Sequence, residues 1–328
     1  MKPDHSTPPS LNDPMSQSPN DLITQLPNRL PIVFFGSSNY VIPIIEVLQK
    51  NFDLKLVLTT EKPEGAVSSF CKQNKIEFLS VSNLSSPTIS HKLLAIGPIV
   101  GVLTDFGLII PEEILNLFPK GIINVHPSFL PAYRGPTPVQ SAILNGDKIT
   151  GVSIMKLDDK IDHGPILGQE KEEILDTDTA ESLYKRLFAK GAILLSKILI
   201  SYLKDNLKPI AQNHEKATFT KTLKREDGFV DISKIKDQKS KIELEKMVRA
   251  YFPWPGVWTR LRLSFGGQSK IIKLLPNNLI TQKPNNLIAQ QPNNPILIQV
   301  EGKKPVSYKD FLNGYPEAKE DLKFIFYQ

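Results

Sequence analysis

Short apolar runs alternate with amphipathic stretches along the first two thirds of the chain, and this alternation constrains the fold more than any single residue does. Leu30-Pro31-Ile32-Val33-Phe34-Phe35 is apolar and rich in β-formers; it ends in Gly36-Ser37-Ser38-Asn39, and residues 41–50 then place apolar side chains at helical spacing. Further strands are predicted at 54–58 and 99–103, with a helix at 66–74 between them. Strands joined by helical crossovers pair in parallel and are covered on both faces. The pattern therefore predicts an α/β fold with a Rossmann-like, open, mostly parallel sheet, whose sites lie at the carboxyl ends of strands. The Gly36-Ser37-Ser38 turn lacks the glycine spacing that lets a backbone approach a pyrophosphate, so a nicotinamide dinucleotide is not the expected ligand.

A strand at 122–125 leads into the turn-rich segment from His126 to Pro136, followed by a helix at 137–144. Residues 151–157 alternate as a strand, 166–170 could pair with it, and 176–204 form a long helical region opened by Asp and Thr residues suited to capping. From Lys208 the texture turns to Pro, Asn, His and Lys, as in a linker. A helix at 243–250 and strands at 257–263 and 270–274 follow. At 328 residues the chain accommodates two domains, here 30–207 and 208–328. The first 29 residues hold six prolines among Ser, Asn and Asp, and read as a disordered tail. Pro-Asn-Asn recurs at 276, 284 and 292; three copies are too few for a solenoid, and the stretch of about 276–295 reads as a low-complexity insertion without assigned function.

Cys71 is the single cysteine, which excludes an internal disulfide and a Cys-based zinc site built from this chain alone. No apolar run approaches the ~20 residues of a membrane helix, and the N-terminal segment has neither a secretory core nor transit-peptide character, so a soluble cytoplasmic protein is expected. Charge is uneven. Residues 1–207 carry 19 Lys and Arg against 22 Asp and Glu, whereas 208–328 carry 21 against 12. An excess of positive charge in the second half fits a polyanionic partner such as nucleic acid, or a solubilising surface.

Asn124 and His126 stand two apart at the end of a predicted strand, so their side chains share a face. Asp162, in the polar loop Lys160-Ile161-Asp162-His163-Gly164-Pro165, follows a neighbouring strand and can return a carboxylate to the imidazole. An amide donor, an imidazole and a carboxylate suit acyl transfer to an amine: the amide steadies an oxyanion, the imidazole handles protons, and the carboxylate orients the imidazole. Each residue alone fits an ordinary loop equally well. Asp158, Asp159, Asp162, His163 and His126 match no standard metal-ligand spacing, so no metal is expected.

Three blocks in order are more specific. Asn124-Val125-His126-Pro127-Ser128-Phe129-Leu130-Pro131-Ala132-Tyr133-Arg134-Gly135, then Gly151-Val152-Ser153-Ile154-Met155, then Ile161-Asp162-His163-Gly164-Pro165-Ile166-Leu167 resemble the signature of the formyltetrahydrofolate-dependent transferases. The resemblance implies that Asn124, His126 and Asp162 are catalytic and that 10-formyltetrahydrofolate is the co-substrate. It also implies that Ser128, Phe129, Leu130 and Pro131 wall the folate while Asp105, Phe106 and Gly107 frame its pteridine. Segments at 217–223, 227–231 and 249–258, with Gly302-Lys303-Lys304-Pro305 and Asp310-Phe311-Leu312-Asn313-Gly314, are similar to the methionyl-tRNA branch of that family. That branch carries a small C-terminal oligonucleotide-binding (OB-like) β-barrel, which implies initiator methionyl-tRNA as the acceptor, in agreement with the charge count.

Lys62, Arg134, Lys221, Lys224, Arg225, Arg249 and Lys303 are the expected tRNA contacts, whereas Trp254 and Trp258 are expected in the barrel core or an interface. A monomer is expected. The loop Thr59-Thr60-Glu61-Lys62-Pro63-Glu64-Gly65 departs from the pattern, being shorter than the basic, glycine-containing insertion usual in the bacterial branch. A sugar-nucleotide N-formyltransferase using the same donor remains an alternative, as does a tRNA-binding protein without turnover.

Overall fold

A computed structural model describes residues 30–263, 269–277 and 296–326. The tail at 1–29 and the second and third Pro-Asn-Asn copies lie outside the described residues; Pro276 of the first ends a strand. Seven strands, β1 (Pro31–Gly36), β2 (Asp53–Thr59), β3 (Phe78–Ser80), β4 (Val100–Thr104), β5 (Ile122–His126), β6 (Ile149–Lys156) and β7 (Ile166–Glu173), form one sheet of order β3-β2-β1-β4-β5-β6-β7. Strands β1 to β5 pair in parallel, while β6 runs antiparallel to both neighbours. The sheet is therefore mostly parallel, as the alternation of strand and helix implies.

Strand alternation divides the core into two layers. Ile32 and Phe34 of β1 face α1 (Ile42–Asn51), α2 (Ala66–Gln73) and a long helix over residues 180–203. Val33 and Phe35 face α3 (Pro87–Ile96) and α4 (Glu112–Leu115). Both faces of β1 are thus buried, which is why its sequence is a continuous apolar run rather than an alternating one. The short β3 and the helix α3 carry only weak periodic signals and are not anticipated from sequence.

After the short α5 (Pro138–Asn145) and strands β6 and β7, the long helix α6 (Ala180–Leu203) crosses the sheet. Thr179 starts it with a reciprocal cap: its hydroxyl accepts from Ser182 N at 3.2 Å, and Ser182 Oγ accepts from Thr179 N at 3.0 Å. Gly191 lets α6 approach the sheet closely, since a Cβ there would meet Val125 Cγ1 at 2.8 Å. The base of α6 is also pinned electrostatically. Asp178, with only 4% of its side chain exposed, accepts from Arg186 Nη1 and Nη2 at 2.8 and 2.6 Å.

In the second half, α7 (Gln238–Ala250) packs on α5, and β8 (Val257–Arg262), β9 (Ser269–Pro276) and β10 (Ile296–Val300) form a separate antiparallel sheet of order β10-β9-β8. Val257, Leu261, Ile272, Leu274, Ile298 and Val300 turn inward and join Leu244 and Val248 of α7 and Val139 and Ile143 of α5 in one apolar cluster. Helices α8 (Tyr308–Gly314) and α9 (Lys319–Phe326) close that cluster with Phe311, Leu322 and Ile325. Among the described helices, none is long and apolar enough to cross a membrane.

Burial alone would raise the Asp178 carboxyl pKa, but the Arg186 guanidinium, the Leu175 N–H and the Ser182 hydroxyl outweigh it and hold the pKa below the usual carboxylate value. A depressed folded-state pKa stabilises above the unfolded value of about 4 and is lost as pH falls through the folded one. Asp178→Asn should therefore lower stability at pH 7 by about 1–3 kcal/mol, and the deficit should shrink below about pH 4, as read from urea unfolding at both pH values.

Candidate functional site

The strand order reverses direction between β1 and β4, the place where ligands bind in open α/β sheets. A cleft of about 440 Å³ opens beside it, at the carboxyl ends of β4 and β5. Asp105, Phe106 and Gly107 line it from β4, Asn124 and His126 from β5, and Asp162 from the loop after β6. Ile109 and Ile161, 87% and 66% exposed, stand at its rim and give it an apolar mouth.

Asp162 is the hub of this cleft. Its Oδ1 accepts from Asn124 Nδ2 at 3.1 Å and lies 3.6 Å from His126 Nδ1, while its Oδ2 accepts from Gly135 N at 2.7 Å. His126 Nε2 meets Tyr133 O at 3.1 Å. A carbonyl only accepts, so Nε2 donates there and Nδ1 is the nitrogen turned toward the carboxylate. Asn124 and His126 are 6% and 5% exposed, so this cluster is largely withdrawn from water.

Left-handed backbone conformations gather around the cleft: Asp105 at φ 47°, Tyr133 at φ 61° and Asp162 at φ 48°. Such strain in non-glycine residues persists where surrounding contacts over-determine it, and it concentrates at functional sites. The Asp105 turn is braced by the first βα turn, with Ser37 N donating to Asp105 O at 3.1 Å and Ser37 Oγ to Phe106 O at 3.2 Å. Through that bracing the Gly36-Ser37-Ser38 segment supports the wall of the cleft. Asp105 is open to water yet ringed by protein, and this desolvation raises its carboxyl pKa, with the Ser38 hydroxyl partly opposing.

Two expected groups stand elsewhere. None of Ser128, Phe129, Leu130 and Pro131 lines this cleft. Instead Ser128 Oγ donates to Ala132 O at 2.6 Å, Ser153 Oγ donates to Ser128 O at 2.6 Å and accepts from Leu130 N at 3.0 Å, and Gln169 Nε2 donates to Leu130 O at 2.8 Å. This network ties the turn after His126 to β6 and β7. Arg134, expected among the tRNA contacts, is a correction: it is 2% exposed, and its guanidinium donates to Gln212 Oε1 at 2.7 and 3.2 Å and to His214 Nδ1 at 2.9 Å. An Arg buried this way is satisfied by internal acceptors and cannot meet a phosphate from solvent. Arg249 is half-buried and donates to Asp178 O at 2.9 Å.

Lys62, Lys221, Lys224, Arg225 and Lys303 are exposed. Lys221 sits 3.6 Å from Asp227, Arg225 lies over the Trp258 ring at 5.8 Å, and Lys303 donates to Tyr315 Oη at 2.8 Å. Alternation along β8 sends Trp258, Arg260 and Arg262 to the outer face of the small sheet, and register places Lys273 of β9 opposite Trp258. Trp254 is 57% exposed, which departs from its expected place in the barrel core or a domain interface, and Trp258 is half-buried with Nε1 donating to Arg225 O at 3.1 Å. Arg260, Arg262 and Lys273 are not among the contacts expected from sequence, although the strict alternation of Val257-Trp258-Thr259-Arg260-Leu261-Arg262 places the two arginines on one exposed face.

Residues 41–199 match the family model described as formyl transferase. The chain is 38% identical over 252 residues to a methionyl-tRNA formyltransferase of Chloroflexus aurantiacus, covering 74% of this chain and 79% of that protein. The chain belongs to the methionyl-tRNA formyltransferase family. A methionyl-tRNA formyltransferase of Myxococcus xanthus is 31% identical over 320 residues, 91% of this chain and 99% of the relative, so the likeness extends through the second half. Among solved structures, a 4-N formyltransferase from Francisella tularensis superposes with a TM-score of 0.57 at 19% identity, covering 73% of this chain and 95% of its own, which bears on the fold alone.

Gly135 holds the family motif together sterically. Its φ of 110° is outside the range of ordinary L residues, and a Cβ would come within 2.7 Å of Thr220 Oγ1 and 2.9 Å of Thr220 O. Gly135→Ala should lower unfolding stability by about 1–3 kcal/mol, measured as a shift of the urea midpoint at unchanged m-value.

Proposed function

We propose that this chain transfers the formyl group of 10-formyltetrahydrofolate to the free amine of methionine on initiator tRNA, with Asn124, His126 and Asp162 as its catalytic residues. The convergence of those three side chains on one cleft, in a chain similar along nearly its whole length to methionyl-tRNA formyltransferases, is the observation that carries this reading.

The amine nitrogen attacks the formyl carbon, a C–N bond forms, and the carbonyl oxygen becomes an oxyanion. Asn124 has two N–H groups on Nδ2, one given to Asp162, so the second is suited to that oxyanion. His126 supplies the second polar contact when its Nε2–H turns from Tyr133 O to the developing charge, while Nδ1 stays toward Asp162. The carboxylate of Asp162, held by Asn124 and Gly135 N–H, orients both partners and takes part in removing the amine proton. Collapse breaks the bond to N10 of the folate, which gains a proton. The exposed apolar rim of Ile109 and Ile161 with the Asp105–Gly107 turn suits a flat ring system, and the Ser128 to Pro131 segment is tied to the site by Ser128 N donating to His126 O at 2.9 Å.

For the acceptor, the outer face of the small sheet offers Arg260, Arg262 and Lys273, extended by Lys221, Lys224 and Arg225; alternating bases and aromatic surface suit a phosphate backbone. Lys62 and Lys303 are further exposed bases.

Labelled formyl donor tests the reading directly. Label should pass to methionyl-tRNA; transfer to an amino sugar nucleotide, or to nothing, would reject it. His126→Ala or Asp162→Ala should each lower kcat by ~10² to 10⁴-fold with little change in tRNA affinity. Replacing Arg260, Arg262 and Lys273 together with Ala should weaken tRNA binding and flatten its log-log salt dependence by roughly one unit for each phosphate no longer neutralised, with kcat at saturating tRNA retained.

A further inference from the structure

The segment that leaves α6 does not run free toward the second half. Ile210 forms a bridge with Ile166 through N–H···O bonds of 2.7 and 2.8 Å, and Thr218 and Thr220 hydrogen-bond along Arg134, at 2.8 Å from Arg134 N and 2.7 Å to Arg134 O. Residues 210–220 therefore lie across two loops, the one that carries Gly135 and the one that carries Asp162. Between these anchors Gln212 is 7% exposed, and every hydrogen-bonding group on its amide is engaged. Its Nε2 donates to Asp162 O at 2.9 Å and to Gly164 O at 2.7 Å, while its Oε1 accepts twice from Arg134. His214, two residues on, accepts from Arg134 and stacks on His163 with ring centroids 4.0 Å apart and planes within 4°.

Three features make this arrangement more than packing. Asp162 is held at φ 48°, so its main chain needs external restraint to stay there. Gln212 grips the carbonyl of that same residue, and of Gly164 two residues later, so it fixes the turn on both sides of His163. Arg134 ties the same amide to its own chain neighbour Gly135, whose N–H binds the Asp162 carboxylate. Main chain and side chain of Asp162 are thus referenced to one point.

We propose that Gln212, braced by Arg134, is a positioning residue that sets the Asp162 carboxylate against Asn124 and His126. It touches no reacting atom. Its effect on turnover rests on the formyl-transfer reading above, but its effect on the geometry of Asp162 and His126 does not.

Two substitutions separate the donor contacts from the rest. Gln212→Met keeps the side-chain length and removes every hydrogen bond; Gln212→Glu keeps an acceptor for Arg134 and replaces the N–H groups that hold Asp162 O and Gly164 O with a carboxylate oxygen that those carbonyls repel. Both full-length variants should lose kcat by ~10 to 10²-fold, with KM for formyl donor and for methionyl-tRNA within about twofold, because misplacement of a catalytic group by about 1 Å is expressed in turnover. Independently of activity, the imidazole ¹⁵N chemical shifts of His126, assigned by their loss in His126→Gln, should differ from wild type in both variants, since the partner of Nδ1 has moved. Unchanged His126 shifts in a folded Gln212→Glu protein overturn the proposal, as does wild-type kcat. A wild-type chain that formylates nothing, while the His126 shifts still respond to Gln212, would reject the formyl-transfer reading and leave the positioning role standing.

Discussion

The carboxylate of Asp162 is where the two faces of the site meet. It accepts from a β5 side chain and from the backbone of the loop after β5, and it faces the imidazole of a second β5 residue, although Asp162 itself lies in the loop after β6. β5 and β6 pair antiparallel, with Asn124 opposite Met155 and His126 opposite Ser153, so that loop must fold back along β5 to bring Asp162 home. Asp162 adopts a left-handed conformation within that loop, and its carboxylate holds the loop against β5. Backbone strain and side-chain bonding are therefore two parts of one constraint. Neither would be stable in that position without the other.

What could be read from sequence follows the distance over which its cause acts. Strand period and helix spacing are local, and the order of strands and helices around β1, β2, β4 and β5 is legible for that reason. The shared face of Asn124 and His126 is likewise legible, since two residues apart on a strand is a local geometric fact. Asp162 enters through the motif blocks. Gln212, 50 residues downstream of Asp162, has no periodic or compositional signal at all, because its role depends on the linker lying across two loops. Arg134 shows the opposite error. Positive charge in a motif reads as an exposed phosphate contact until burial is known, and only the acceptors on Gln212 and His214 explain how an Arg could be enclosed there. The resemblance identifies the segment Ser128 to Pro131, but the Ser153 and Gln169 bonds that anchor it come from β6 and β7 and have no local signal.

On the proposed reading, the charge asymmetry separates chemistry from recognition. The first 207 residues carry slightly more acid than base, and the Asn124, His126 and Asp162 cluster within them is largely shielded from water, where a fixed carboxylate acts strongly on its neighbours. The excess of base lies in the second half, mostly on exposed helices, strands and turns among the described residues, where screening by salt makes each charge weak and only their number matters. Joining the two is an apolar cluster that includes α5, α7 and the inner face of the small sheet. A polyanion bound on the outer face, as proposed, would thereby be held at a set relation to the cleft, without any basic residue having to enter it.

The turn after β2 shows what this division asks of the molecule. Residues 60–65 are short and tied down: Thr60 Oγ1 donates to Ser37 Oγ at 2.7 Å, Glu61 Oε2 accepts from Val67 N at 2.9 Å, and Ser68 Oγ donates to Lys62 O at 3.3 Å. Through Ser37 the same turn is linked to the main chain at Phe106, on the cleft wall. A segment bound at so many points stiffens the rim of the cleft but cannot reach far from it, and it presents a single base, Lys62. On the proposed reading, the acceptor end of the tRNA then meets a rigid rim rather than an adaptable basic loop. Discrimination among tRNAs shifts toward the contacts of the second half, and toward the fit of the methionyl amine between the apolar rim and the Asn124, His126 and Asp162 cluster.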